Sequence, residues 1–210
     1  MSSTGKQDTR SPNEGRDIFF EKVRALLRKN GRALISIDGR CGSGKTSLAG
    51  ALANVLNSDT VHMDDYYMPF RDRDPEWRSI PAGNMDLMRL RTEILEPFAR
   101  GDKTVYRAYD CPNDRMKYEM VLPLSEILIV EGSYSQHPLL RDMYDIKLFI
   151  TADRTVQEQR LKKREGDHFK AFSEIWIPME ELYFKAFGTE DASDCRIDTS
   201  SGTDVWEWQK

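Results

Sequence analysis

The chain has 210 residues, a formal net charge of −4 and 39% hydrophobic residues, which suits a single ordinary core and excludes a general attraction to nucleic acid or anionic lipid. Its three cysteines, Cys41, Cys111 and Cys195, lie far apart without metal-ligand spacing and read as reduced thiols of a cytoplasmic protein. No apolar run approaches the ~18 residues that a membrane span needs, and the N-terminus lacks a charged-then-apolar signal pattern.

In chain order, residues 1–14 mix Ser, Thr, Gly, Asn and charges without periodicity, so a mobile tail is expected before one domain over 15–210. From Asp17 to Lys29, Ile18, Phe19, Val23, Leu26 and Leu27 recur at helical spacing, and Gly31 ends the run. Ala33 to Ile37 is a buried-strand pattern that leads directly into Gly39-Arg40-Cys41-Gly42-Ser43-Gly44-Lys45-Thr46, the spacing G-x-x-x-x-G-K-[ST]. A phosphate tail needs many donors in a small concave space, and Gly39, Gly42 and Gly44 let successive backbone N–H groups converge. A helix beginning near Lys45 and including Ser47 points its positive end at the same anion. Lys45 reaches phosphate oxygens as a point charge, and the Thr46 hydroxyl is placed for Mg²⁺. Strand, loop and following helix together make the motif far more specific than the spacing alone.

Thr60 to Met63 reads as a second strand ending in Asp64-Asp65-Tyr66-Tyr67. In an open parallel sheet, ligands sit beyond the carboxyl ends of strands, so this tip is expected to face the bound nucleotide. Asp64 is the expected general base for an acceptor hydroxyl, with Asp65 the alternative. The stretch from Met68 to Asn84 is long and irregular, as in a lid or binding loop, and its Arg71, Arg73 and Arg78 suit an acceptor carrying a carboxylate or phosphate. Asn84 is expected to cap a helix over 85–99 that Gly101 ends. Thr104–Tyr109 and Lys117–Val121, flanking Pro112-Asn113-Asp114, predict a projecting β-hairpin.

Ile127-Leu128-Ile129-Val130 suits a central parallel strand delivering Glu131 to the same sheet edge, where a carboxylate following four apolar residues points to a Mg²⁺ ligand. Ile146–Ile150 repeats the strand pattern. Arg154–Arg164 is a cationic helix on which Arg160 and Arg164 share a face and can close over the β- and γ-phosphates. Phe169–Phe187 is helical with an interruption at Pro178, and the stripe Phe172, Trp176, Tyr183 and Phe187 reads as core. The scattered His62, His137 and His168 read as structural. Cys195–Asp198 suits a last strand, followed by a short terminal segment from Val205. The alternation predicts an α/β fold with a mostly parallel central sheet covered on both faces, a three-layer α/β/α arrangement.

The order of the Gly39–Thr46 loop, Asp64-Asp65-Tyr66-Tyr67, Tyr109-Asp110, Ile129-Val130-Glu131-Gly132, Lys147-Leu148-Phe149-Ile150 and the cationic helix resembles the uridine kinase family of P-loop kinases. This is the group that includes phosphoribulokinase and bacterial pantothenate kinase. Gly83-Asn84-Met85-Asp86 and Trp176-Ile177-Pro178-Met179-Glu180 resemble a bacterial branch of it. The resemblance implies a P-loop NTPase fold and an ATP- and Mg²⁺-dependent phosphotransferase acting on a primary hydroxyl of a small molecule. Its acceptor would be nucleoside-like, with pantothenate or another non-nucleoside alcohol as the alternative; a nucleotide-hydrolysing switch is a further alternative from another class. It implies Asp64 as base, Asp86 as the ribose-binding aspartate, Tyr67 and Tyr109 at the acceptor, and Arg160 and Arg164 as lid arginines, and it leaves self-association open. Cys111-Pro112-Asn113-Asp114 stands where uridine-cytidine kinases carry a base-reading histidine, a departure that bears on pyrimidine recognition.

Overall fold

The computed structural model describes residues 14–123 and 125–209, so the tail expected over residues 1–14 lies outside the described residues except for Glu14, which is helical. In chain order the elements are α1 (Glu14–Asn30), β1 (Ala33–Gly39), α2 (Lys45–Leu56), β2 (Asp59–His62), α3 (Leu87–Leu90), α4 (Glu96–Arg100), β3 (Val105–Asp110), β4 (Arg115–Val121), β5 (Ile127–Glu131), α5 (Pro138–Arg141), β6 (Ile146–Thr151), α6 (Arg154–Glu165), α7 (Phe169–Ala171), α8 (Ile177–Phe187), β7 (Cys195–Asp198) and β8 (Val205–Trp208).

Six strands form one sheet in the order β2-β5-β1-β6-β7-β8. The first five are parallel, and the last pairs antiparallel with β7. Side chains alternate across the sheet, as the pleat requires. Ala33, Ile35 and Ile37 of β1, Ile127 and Ile129 of β5, and Ile146, Leu148 and Ile150 of β6 enter a core with Phe19 and Val23 of α1 and Leu48, Ala49 and Leu52 of α2. Leu34, Leu128, Val130 and Phe149 enter the opposite core with Leu87, Leu90, Ile94, Phe98, Tyr183 and Phe184. Both faces of β1 and β5 are therefore covered, which explains the apolar run Ile127–Val130 and the burial of every residue of β1, Ser36 and Asp38 included. Each fully buried Ile or Leu contributes about 1.5–3 kcal/mol of transfer free energy.

The helix expected over 85–99 is three pieces: α3, a π turn over Arg91–Leu95, and α4. The stretch expected to break at Pro178 likewise runs through α7, a π turn over Phe172–Trp176, and α8. In both places a proline, Pro97 or Pro178, sits in the first turn after the π segment. A proline ring clashes with the carbonyl four residues earlier and donates no N–H, and a widened turn relieves both problems without ending the helix. The cap of α3 is Asp86, whose carboxylate accepts the Arg89 N–H at 3.1 Å, in place of the expected Asn84.

The hairpin forms as expected, with β3 antiparallel to β4. Its inner strand buries Tyr106 and Ala108, and Asp114 closes the turn in the left-handed region, at φ 48°.

Asp38 sits fully buried at the end of β1, where it accepts hydrogen bonds from the N–H groups of Gly39 and Gln136 and from the Tyr183 hydroxyl. Burial outweighs those three donors and pushes its carboxyl up to about 6. A folded-state pKa above the unfolded value adds stability that is complete at low pH and is lost as pH rises through 6. The stability of Asp38→Asn relative to wild type is therefore expected to improve by up to roughly 3 kcal/mol between about pH 4 and pH 7 in urea unfolding. A difference independent of pH would contradict the burial argument.

Candidate functional site

Three parallel strands set the site. Ile37 of β1 lies opposite Glu131 of β5, and Glu131 lies opposite His62 of β2, so the carboxyl ends of all three strands reach one edge. The phosphate loop leaves β1 there, the Asp64 tip leaves β2 as a 3₁₀ turn over Met63–Tyr66, and Gly132-Ser133-Tyr134 leaves β5. Together they line one cleft with Lys45, Thr46, Asp64, Tyr67, Glu131 and Arg164.

Glycine is required in the loop at two places. At Gly39, φ 138°, a Cβ would lie 1.9 Å from the Ile150 carbonyl oxygen, so the loop can leave the sheet only without a side chain. Gly44 takes φ 104° at the start of α2, with open space where its Cβ would be. That conformation starts α2 at the cleft edge with no side-chain cap, so its first N–H groups lack intrahelical partners.

Lys45 Nζ donates to the Gly39 carbonyl at 2.6 Å and lines the cleft. The Thr46 hydroxyl donates to Glu131 Oε1 at 3.2 Å, and His62 Nδ1 meets the same oxygen at 2.6 Å. That bond raises the His62 pKa against the effect of its partial burial. Glu131 is 5% exposed, so its charge is met by these two neighbours.

Of the two tip carboxylates, Asp64 faces the cleft and accepts the Tyr67 hydroxyl at 3.3 Å. Burial raises its pKa first, and the charge of Glu131 adds to it. Asp65 is turned away: its carboxylate accepts the Tyr106 hydroxyl from the hairpin, and its carbonyl accepts Arg89 Nη2 at 2.9 Å.

The structure divides the residues expected in the loop. Cys41, Gly42, Gly44, Lys45, Thr46 and Ser47 line the cleft. Gly39, Arg40 and Ser43 support it from behind: Arg40 Nε donates to Glu181 at 2.7 Å, its Nη1 to Glu190 at 2.9 Å, and Ser43 is buried.

Arg164 lines the cleft, with its guanidinium 5.6 Å from the Phe172 ring centre. Arg160 does not share that place, a correction to the expected arginine pair. It donates to the Gly42 and Ser43 carbonyls at 3.3 Å and to Thr199 at 2.8 Å, buttressing the loop. Spacing of four puts two residues on one face, but the loop's outward-turned carbonyls capture the earlier one.

Asp86, Tyr109 and Arg71 are also absent from the cleft walls. Asp86 caps α3 and pairs with Arg89 at 3.3 Å. The Tyr109 hydroxyl bonds Asp114 within the hairpin turn. Arg71 is exposed beside Asp72, Arg73 stacks on Phe70 and Trp77 and donates to the Met68 carbonyl, and Arg78 lies over Trp77. None of the three loop arginines lines the cleft.

The aromatic stripe splits in the same way. Tyr183 is core, whereas Phe172 and Trp176 line the cleft, and the Trp176 ring lies 6.5 Å from that of Tyr67. Sequence reasoning also passed over Ser133, Tyr134 and Glu180, which all line the cleft. Tyr134 holds φ 77°, an uncommon conformation for an aromatic residue. Only the position of Ser133 and Tyr134 just beyond the β5 edge signalled them.

A glycine-rich loop between a parallel strand and a helix, facing carboxylates at the tips of β5 and β2, defines a P-loop nucleotide-binding fold. No family model matches the chain. Uridine kinase of Ligilactobacillus salivarius is 30% identical over 148 residues, covering 66% of this chain and 68% of that protein. Inorganic pyrophosphatase TTM2 of Arabidopsis thaliana is 29% identical over 199 residues, covering 85% of this chain, which spans only 28% of that longer protein. A solved structure described as a possible uridine kinase from Bacillus stearothermophilus shares the fold, with a TM-score of 0.60 at 19% identity over 85% of this chain and 98% of that one. The chain belongs to the uridine kinase-like family of P-loop kinases. Among the described residues no helix is long and apolar enough to cross a membrane.

The contrast between the two arginines is testable by thermal unfolding without ligand. Arg160→Ala removes the bonds to Gly42, Ser43 and Thr199 and is expected to lose about 1–3 kcal/mol. Arg164→Ala is expected to stay within about 0.5 kcal/mol of wild type. Equal effects would contradict the assignment of Arg160 to the loop's support.

Proposed function

We propose that the protein is an ATP-dependent kinase that transfers the γ-phosphate to a primary hydroxyl of a small molecule, a nucleoside or a similar alcohol. The observation that carries this reading is the shared cleft: Asp64 and the phosphate loop bound the same space, with an aromatic wall of Tyr67, Phe172 and Trp176 beside them. A hydrolase needs only water opposite the phosphate, whereas an aromatic wall fits the body of an organic acceptor. The likeness to the pyrophosphatase supplies a second reading, hydrolysis of a phosphoanhydride, which the acceptor dependence of turnover separates.

Phosphoryl transfer rests on positioning and charge neutralisation. The N–H groups from Gly42 to Ser47 receive the phosphate chain, and Lys45 exchanges the Gly39 carbonyl for phosphate oxygens. Arg164 approaches from the lid side. Thr46 and Glu131 are the residues that would hold Mg²⁺; they are adjacent and face the cleft. Among the described residues no group of three or more His, Cys, Asp or Glu side chains is set to hold a metal ion, so the phosphates themselves would complete the ion's shell, as suits Mg²⁺. When bound, the ion neutralises charge on the β- and γ-phosphates. Asp64 orients the acceptor hydroxyl and takes its proton, and its raised pKa makes it a better base than a carboxylate of ordinary pKa.

Product detection by mass, with MgATP and a panel of nucleosides, pantothenate and other alcohols, tests the reading. Asp64→Asn is expected to lose about 10²–10⁴ in turnover with ATP binding retained, and Lys45→Ala to lose turnover and weaken ATP binding. The acid limb of the wild-type pH profile is expected above the ordinary carboxylate pKa, because only the ionised Asp64 can accept a proton. Acceptor-independent release of phosphate at the full rate would instead favour the hydrolase.

A further inference from the structure

Helix α8 meets the phosphate loop at three consecutive places. The Tyr183 hydroxyl donates to Asp38 at 2.8 Å, Glu181 accepts Arg40 Nε at 2.7 Å, and Glu180 Oε2 accepts the Cys41 N–H at 2.9 Å. Residues 38, 40 and 41 are thus gripped by about one turn of a single helix. The contacts differ in kind. Tyr183 and Asp38 are fully buried behind the sheet edge, and the Arg40–Glu181 pair is part-exposed. Glu180 alone of the three lines the cleft, at 6% exposure.

Glu180 also accepts the Ser133 hydroxyl through its other oxygen, and that hydroxyl lies 3.3 Å from the Gly39 carbonyl that Lys45 holds. One carboxylate therefore joins the loop after β1 to the loop after β5. One turn earlier, on the same side of the helical segment, Trp176 stands in the aromatic wall against Tyr67 and Trp77. A carboxylate is an unfavourable neighbour for a polyphosphate, since the cleft already holds Asp64 and Glu131 against Lys45 and Arg164. Its presence asks for an offsetting role, and its two hydrogen bonds supply one.

We propose that Glu180 is a positioning residue of the nucleotide site, fixing the first half of the phosphate loop through the Cys41 N–H and tying it to Ser133. It acts through the loop's backbone and does not touch the transferred group. By setting the loop against the helix that carries Trp176, it holds donor cradle and acceptor wall at a fixed separation. The proposal rests on the reading of the cleft as a nucleotide site.

Two neutral variants separate positioning from charge. Glu180→Gln and Glu180→Ala both remove the negative charge, but the Gln oxygen still accepts the Cys41 N–H and its amide still reaches Ser133. Isothermal titration with MgATP, at a temperature where each variant is folded, is expected to show Glu180→Ala binding about tenfold more weakly than Glu180→Gln, with Glu180→Gln at least as tight as wild type. A purely structural role would lower the melting temperature of Glu180→Ala and leave the affinity of its folded fraction equal to that of Glu180→Gln, which would overturn the proposal. Should Glu180→Ala not fold, Glu180→Asp keeps the charge and falls a methylene short of Cys41; it is expected to bind about tenfold more weakly than wild type, and equal binding would overturn the proposal. Absence of MgATP binding by the wild-type protein would instead remove the nucleotide reading, and the proposal with it.

Discussion

Concentrated negative charge is the constraint on which this structure depends. A polyphosphate held in a cleft with two strand-tip carboxylates is stable only where fixed donors outnumber acceptors. The fold meets that demand with backbone. The exit of β1 at Gly39, the left-handed turn at Gly44 and the start of α2 at Lys45 set a row of N–H groups that need no side-chain reorganisation when an anion arrives. The parallel register then fixes what lies opposite, because Glu131 is the residue that pairs with Ile37 at the end of β5.

Around that cradle the cleft is held by buttresses of which Glu180 alone reaches its wall. Arg160 and Thr199 brace the Gly42–Ser43 carbonyls from one side, and α8 grips Asp38, Arg40 and Cys41 from the other. At the tip of β2, Tyr106 and Arg89 hold the Asp65 carboxylate and peptide, so that the preceding residue, Asp64, is the one presented to the cleft. The hairpin thereby contributes to the site without lining it: its buried tyrosine sets the direction of the β2 tip. Pre-organisation of this kind is what phosphoryl transfer asks of a protein that performs little covalent chemistry itself.

Much of this was legible in the sequence, and the limits have physical causes. The strand patterns at Ala33–Ile37 and Ile127–Val130 announced a parallel sheet because both faces are covered, and the glycine spacing announced the cradle because only backbone can approach phosphate so closely. Side-chain destinations were less legible. Arg160 and Arg164 share a helical face in sequence, yet one is captured by loop carbonyls and the other is left at the cleft, an outcome that depends on where the loop turns. Asp86 carries the family's acceptor pattern, but in this structure the same carboxylate satisfies the orphan N–H at the start of α3 and pairs with Arg89. Trp176 read as part of a core stripe, and Glu180 stood only in a run that resembles the family. Trp176 closes a π turn that periodicity cannot reveal, Glu180 follows in the first turn of α8, and both line the cleft.

The account stands on donor phosphate and Asp64 sharing one cleft, and a crystal structure with a non-hydrolysable ATP analogue and Mg²⁺ tests this most directly. It predicts the terminal phosphate on the N–H groups after Gly42 and on Lys45, with the Asp64 carboxylate across a gap wide enough for one hydroxyl and Trp176 beside it. A nucleotide bound elsewhere, or an Asp64 carboxylate turned out of the cleft when the phosphates are in place, would contradict it.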